Sequence, residues 1–197
     1  MSSNITRTVG PNGEIITILP IEIKFDRSTG GYYAVDENSG KEYSLLELER
    51  LADTGDPSAQ CAMGDYFNIK ETPQLNFHDA YEWYRKAAAQ NHAKALHVLG
   101  LFYAMGIVVG KDFDKACARL EESAKHGFLE AMFHLGGVYM MKDIYDKSIF
   151  WLDKADRLGH PEAREQLEMI KLLAKGAENI PGARAAHEKQ SREYWET

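Results

Sequence analysis

The 197-residue chain lacks the features that mark several common protein classes. Its two cysteines, Cys61 and Cys117, are too few for a disulfide framework, and each reads first as a small buried hydrophobe in a reducing compartment. No stretch approaches the ~18 consecutive apolar residues of a membrane span, and the opening "MSSNITRTVGPNGEIITILP" has no charged region followed by an apolar run. These absences predict a cytoplasmic protein with no membrane partner. Neither sign of charge is gathered into blocks: 30 acidic and 23 basic residues, net −7, are interleaved, so no basic face is offered to nucleic acid. There is no His-Glu-x-x-His, and His92 and His97 stand five apart instead of sharing the i, i+4 face of a helical metal motif. No metal and no cofactor is predicted.

What is present is a packed-core composition, 44% apolar, organised by an internal repeat. "PSAQCAMGDYF" (57–67), "AKALHVLGLFY" (93–103) and "LEAMFHLGGVY" (129–139) stack without gaps. Ala59, Ala95 and Ala131 recur every 36 residues, as do Gly64, Gly100 and Gly136, and Phe67, Tyr103 and Tyr139 follow as aromatics. A second helical segment follows each: 76–91, 111–127 and 141–159. Ala80 and Ala116 keep the same step, whereas Ser148 takes that slot after 32 residues, as a shortened connector in copy three requires. The segment 43–55 matches the second helix alone, and 161–175 matches the first helix, with Glu168 and Lys171 replacing the glycine and the aromatic. Such polar replacements suit a terminal capping helix.

Glycine inside a helix costs about 1 kcal/mol relative to alanine. A periodic helical glycine therefore predicts a crossing point where a bulky neighbour approaches the backbone, with Ala80, Ala116 and Ser148 on the partner helix and aromatics such as Trp83 and Trp151 packed around. Pro57 and Pro161 are expected in first turns, Asp56, Asp112 and Asp143 as caps or first-turn acids, and Asn91, Gly127 and Gly159 as left-handed helix ends.

The run Ala-x-x-x-(Leu/Met)-Gly-x-x-(Tyr/Phe), followed by a second helix ending in Gly or Asn, resembles the Sel-one-like repeat, a relative of the tetratricopeptide repeat. The resemblance covers about residues 43–175 and implies a mainly α fold, a right-handed α–α superhelix or solenoid of helix pairs. Arg119 stands where the other copies have Trp83 and Trp151, so copy two is expected to pack differently. The secreted branch of the family carries a disulfide within each repeat; Cys61 and Cys117 fall in different copies, and that pairing is not expected here.

The resemblance also implies an adaptor that offers a concave groove to a partner protein or peptide, and no reaction. If the first helix of each pair lines that groove, the register gives Ser58, Cys61, Asp65 and Asn68; Lys94, His97, Leu101 and Ala104; Glu130, Phe133, Gly137 and Met140; and Glu162, Glu165, Met169 and Leu172. Leu101, Phe133, Met140 and Met169 are then apolar anchors, and Asp65, Lys94, Glu130 and Glu165 orient the partner. Phe133 and Met140 serve as well as core, since a solenoid helix is contacted on two sides. Cys61 and His97 are the one arrangement that pairs a nucleophile with a base, but no orienting group or oxyanion device accompanies them, so the chain is read as non-enzymatic. An immunity or inhibitor protein that blocks a toxin or enzyme is the alternative use of the same surface.

Residues 1–42 fall outside the repeat. Asn12-Gly13 between two β-rich runs signals a hairpin, and the alternation of Ile21, Ile23 and Phe25 before a glycine turn adds further strands, giving a small β-hairpin or β-meander. This segment either caps the solenoid or presents an edge for strand addition, which opens a route to a homo-oligomer. The tail 176–197 is expected to form a short helix from Ala183, with Tyr194 and Trp195 either docking back or serving in recognition.

Overall fold

Two small antiparallel sheets precede the helices. In the computed structural model, which describes residues 6–9, 15–18, 21–29, 31–69 and 75–178, β1 (Thr6–Val9) pairs with β2 (Ile15–Ile18). A separate sheet has the order β3 (Ile21–Asp26), β4 (Gly31–Asp36), β5 (Lys41–Ser44). Two aspartates build its turns: Asp26 and Asp36 accept from backbone and hydroxyl groups of the residues that follow. The last strand runs past the expected boundary at 42, and Ser44 ends it while opening the first helix through a reciprocal capping box with Glu47.

Among the described residues there are eight helices: α1 (Leu45–Asp53), α2 (Pro57–Phe67), α3 (Phe77–Ala88), α4 (Ala93–Met105), α5 (Phe113–Lys125), α6 (Leu129–Met141), α7 (Tyr145–Arg157) and α8 (Ala163–Glu178). The chain divides after Phe128 into two compact units. In the first, consecutive helices pack from α1 to α5, and Ile21 and Ala34 of the sheet share an apolar cluster with Leu48, Ala52, Ala59, Ala62 and Met63. In the second, α7 packs against both α6 and α8.

Caps and turns follow local side-chain chemistry. Asp56, Asn76 and Asp112 accept from backbone amides at the starts of α2, α3 and α5, and Pro57 occupies the first position of α2. Asn91, Gly127 and Gly159 take positive φ as expected. Asp143 departs from expectation. It sits at φ 58° after α6 and accepts from the Tyr145 hydroxyl, so it ends one helix instead of starting the next, and Ile144 precedes α7 without a side-chain cap. Pro161 lies in a turn two residues before α8, and α8 continues through Gly176, past the expected end at 175. The expected tail helix, with Tyr194 and Trp195, lies outside the described residues.

The periodic glycines are crossing points. A Cβ on Gly64 would stand 2.6 Å from the ring of Tyr84; on Gly100, 2.6 Å from Leu120 Cγ; on Gly136, 2.6 Å from Leu152 Cγ. The carbonyl oxygens of Ala116 and Ser148 lie 3.3 Å from the latter two positions, so the small-residue slot on the partner helix is part of the contact. α4 and α6 bury residues around most of their circumference, whereas α3, α5 and α7 bury one stripe and leave the rest to solvent. At the slot shared by Trp83 and Trp151, the Lys86 and Lys154 ammonium groups lie over the indole rings; Arg119 instead pairs with Glu122 at 2.9 Å. Copy two therefore uses an ion pair where the others use a cation on an aromatic face.

Ser148 is a local fault. Its hydroxyl is buried with no hydrogen-bond partner among the described residues, in the slot that copies one and two fill with alanine. Ser148→Ala is expected to raise the unfolding free energy by about 1 kcal/mol, read as a higher thermal midpoint. An unchanged or lower midpoint would show that the hydroxyl contributes a bond.

Candidate partner-binding site

The first unit contains a pocket of about 540 Å³ where the sheet, α2 and the α3–α4 turn converge. Of the sequence-selected positions, Ser58, Cys61, Asp65 and Lys94 line it together. The sheet contributes Ile21, Asp36 and Asn38, α1 contributes Leu51, the turn contributes Gln90, Asn91 and His92, and His126 follows α5. Sequence reasoning missed these because, apart from Leu51 on α1, they lie in turns or outside the repeat. One signal was available: His92 stands immediately before a first helix, in the slot that Phe128 and His160 fill in the later copies and Asp56 in the first.

That slot explains the pocket. In copy two the ring of Phe128 lies 5.1 Å from that of His97, and in copy three His160 stacks on Phe133 at 4.1 Å and 14°. Cys61 is the counterpart of His97 and Phe133 at the 36-residue step, and it brings a small thiol where the other copies bring a ring. The volume that an aromatic pair fills in copies two and three is left open beside His92.

The pocket is held by a tied polar frame. Asp65 accepts from the Tyr84 hydroxyl at 2.9 Å and from Lys94 Nζ at 2.6 Å, with the Asp65 and Lys94 side chains only 23% and 19% exposed. Gln90 donates to the Gly55 carbonyl and to Gln60, and Gln60 donates to the Ala52 carbonyl, joining the α3–α4 turn to the α1–α2 turn. Ser123 donates to the Ala93 carbonyl at 2.7 Å and anchors the start of α4 to α5.

Burial pulls the Lys94 ammonium down, but the Asp65 carboxylate beside it, with Cys61 and Glu22, outweighs that and holds it above its ordinary range. Burial and then Asp65 push the Cys61 thiol upward against the opposing effect of Lys94. A thiol held in its protonated form is a poor nucleophile. Cys61 is 3% exposed and packs among Ala80, Tyr84, Ala87 and Leu96. Among the described residues no group of three or more His, Cys, Asp or Glu side chains is arranged to hold a metal ion.

His92 carries a pH dependence. Burial and then the Lys94 charge lower its pKa below 6.5, against the pull of Asp65 and Asp56. Its Nδ1 also accepts from the Ala95 amide as the cap of α4. A depressed histidine favours the folded state above 6.5, and that contribution is lost as pH falls toward the lowered value. His92→Asn supplies a non-titrating and better cap, so it is expected to stabilise by about 0.5–1 kcal/mol at neutral pH and by more at pH 5.5. Thermal melts at the two pH values measure the gap, which an acid-independent difference would contradict.

The remaining expected positions do not line this pocket. His97 and Phe133 are 8% and 7% exposed and lie under the rings just described, so covering rings occupy the faces assigned to a partner. Leu101, Glu130 and Met140 are half-buried, and Glu165 and Met169 are exposed on α8. There Glu168 and Lys171 pair at 2.8 Å, while Ala163 and Leu167, which align with the alanine and leucine of the other first helices, are buried. No helix among the described residues is long and apolar enough to cross a membrane.

An uncharacterized Sel1-like repeat-containing protein of Schizosaccharomyces pombe is 38% identical over 88 residues, which are 41% of this chain and 13% of that protein. The chain thus corresponds to a small part of that relative. A Sel1 repeat protein from Oxalobacter formigenes is 30% identical with a TM-score of 0.53, covering 63% of this chain and 96% of that one. A protective antigen present in uropathogenic Escherichia coli strains, displaying an SLR fold, is 27% identical with a TM-score of 0.62, covering 68% and 29% of the respective chains. The Sel1 repeat profile matches residues 57–92, 93–128 and 129–160, more than half of the sequence, and its boundaries coincide with the turns that the ring-bearing slot occupies. The chain belongs to the Sel1 repeat family of helical-repeat proteins.

Proposed function

We propose that the chain is a non-enzymatic interaction module that holds a segment of a partner protein in the pocket between the β3–β5 sheet and the first repeat. The observation that carries this reading is the convergence of four non-repeated positions, Ser58, Cys61, Asp65 and Lys94, on one cavity. Within the repeat, the residues that recur serve packing, as Gly64, Gly100 and Gly136 do. Asp65 and Lys94 occupy no recurring packing slot: Asp65 has Leu101 and Gly137 as counterparts, and Lys94 has Ser58 and Glu130. The volume lies within the roughly 300–1,000 Å³ of concave ligand sites. Leu101, Glu130, Met140, Glu165 and Met169 remain candidates for additional contacts with the same partner.

Ser58→Tyr places a ring in the pocket from the first turn of α2. Immobilised wild-type protein is expected to retain a partner from lysate of the source cell. Ser58→Tyr is expected to lose it, and a variant on the exposed side of α3, Glu82→Ala/Arg85→Ala, to keep it. Equal recovery by Ser58→Tyr would remove the pocket assignment.

A further inference from the structure

We infer that the pocket of the first repeat accepts a lysine or arginine side chain presented by an extended segment of the partner protein. This rests on the interaction-module reading and adds the chemistry of the guest. Three carboxylates line the pocket, Asp36, Asp56 and Asp65, against one ammonium, Lys94. Lys94 and Asp65 neutralise each other at 2.6 Å, so the charges of Asp36 and Asp56 are left over. Burial and the Lys94 charge disfavour a compensating positive charge on His92.

Both free carboxylates are fixed in place before a guest arrives. Asp36 accepts from the Asn38 amide at 2.9 Å and the Ser39 hydroxyl at 2.8 Å, bonds that hold it ionised below the usual carboxylate range. Asp56 uses Oδ1 to cap α2 at Ala59, which leaves Oδ2 for a donor. Ile21, Leu51 and Ala62 supply apolar wall, suited to the aliphatic stem of a long cationic side chain whose head meets the carboxylates. α2 and α4 both begin at this pocket, and a helix start taken alone favours an anion. Here Asp56 already occupies the start of α2, and an incoming carboxylate would meet two unneutralised charges. The cavity exceeds one side chain, so flanking residues of an extended segment enter with it.

The test selects a phage-displayed library of random dodecapeptides on the full chain, then measures binding of synthetic, fluorescently labelled winners by anisotropy. Enriched peptides are expected to share a lysine or arginine at one position, and its replacement by alanine is expected to weaken binding about tenfold or more. Asp36→Asn/Asp56→Asn keeps the turn and the cap while removing both charges, and is expected to weaken the parent peptide to a similar degree and to flatten its salt dependence. A circular dichroism melt confirms that the double variant is folded. Peptides that bind wild type, fail on Ser58→Tyr and share no basic residue would overturn the cationic guest while leaving the interaction module standing. Peptides that bind Ser58→Tyr as tightly as wild type would overturn the pocket itself. Enrichment of no sequence would overturn both.

Discussion

Gly136→Ala is expected to destabilise the protein by about 1–3 kcal/mol, whereas Gly137→Ala, one residue further along the same helix, is expected to stabilise it by up to about 1 kcal/mol. The two substitutions gain the same helix propensity, so their difference isolates packing. A Cβ on Gly136 meets Leu152 Cγ at 2.6 Å, Leu152 Cδ2 at 3.0 Å and the Ser148 carbonyl oxygen at 3.3 Å, whereas a Cβ on Gly137 meets nothing within 4 Å. Leu152 is fully buried and has no room to retreat. Leu152→Ala alone is expected to cost about 2–5 kcal/mol, but less in the Gly136→Ala background, because the alanine methyl partly fills the space vacated. Urea denaturation of the four proteins measures the coupling. If Gly136→Ala and Gly137→Ala stabilise equally, close approach is not the reason for the periodic glycine.

Lys94→Met has the second large effect, an expected loss of about 2–3 kcal/mol, set below the 3–5 kcal/mol typical of a fully buried pair because about a fifth of each side chain remains exposed. Most of that loss comes from Asp65, which keeps the Tyr84 hydroxyl but has no ammonium to offset its desolvation. Lys94→Met/Asp65→Asn is therefore expected to recover most of the stability. It removes the stranded charge, and the amide oxygen still accepts from Tyr84. Denaturant midpoints of the single and double variants decide this; a double variant no more stable than Lys94→Met would mean that the ammonium contributes through its own packing.

Local chemistry was legible wherever a residue acts on its own neighbourhood. Asp56 and Asp112 cap helices because their side chains reach amides three residues on, and Asn91 takes the left-handed turn because its side chain tolerates it. Asp143 has both abilities, and the shortened connector of copy three selects the second. The burial of His97 and Phe133 under other rings was not legible, because α4 and α6 are apolar nearly all round and have no polar stripe to orient them. Their covering rings come from the turn after the next helix, at separations of 31 and 27 residues.

By itself, the sequence determined the 36-residue period, the pairing of helices, the glycine crossings and the small β-rich start, since each depends on spacing or on side chains reaching their own backbone. Only the tertiary structure decided which slots are covered, that Asp65 is shared by Lys94 and Tyr84, and that the sheet closes one side of a pocket beside Cys61. Those outcomes depend on residues about 20–70 positions apart being brought into contact, and on the volume left when a small thiol stands where other copies place a ring.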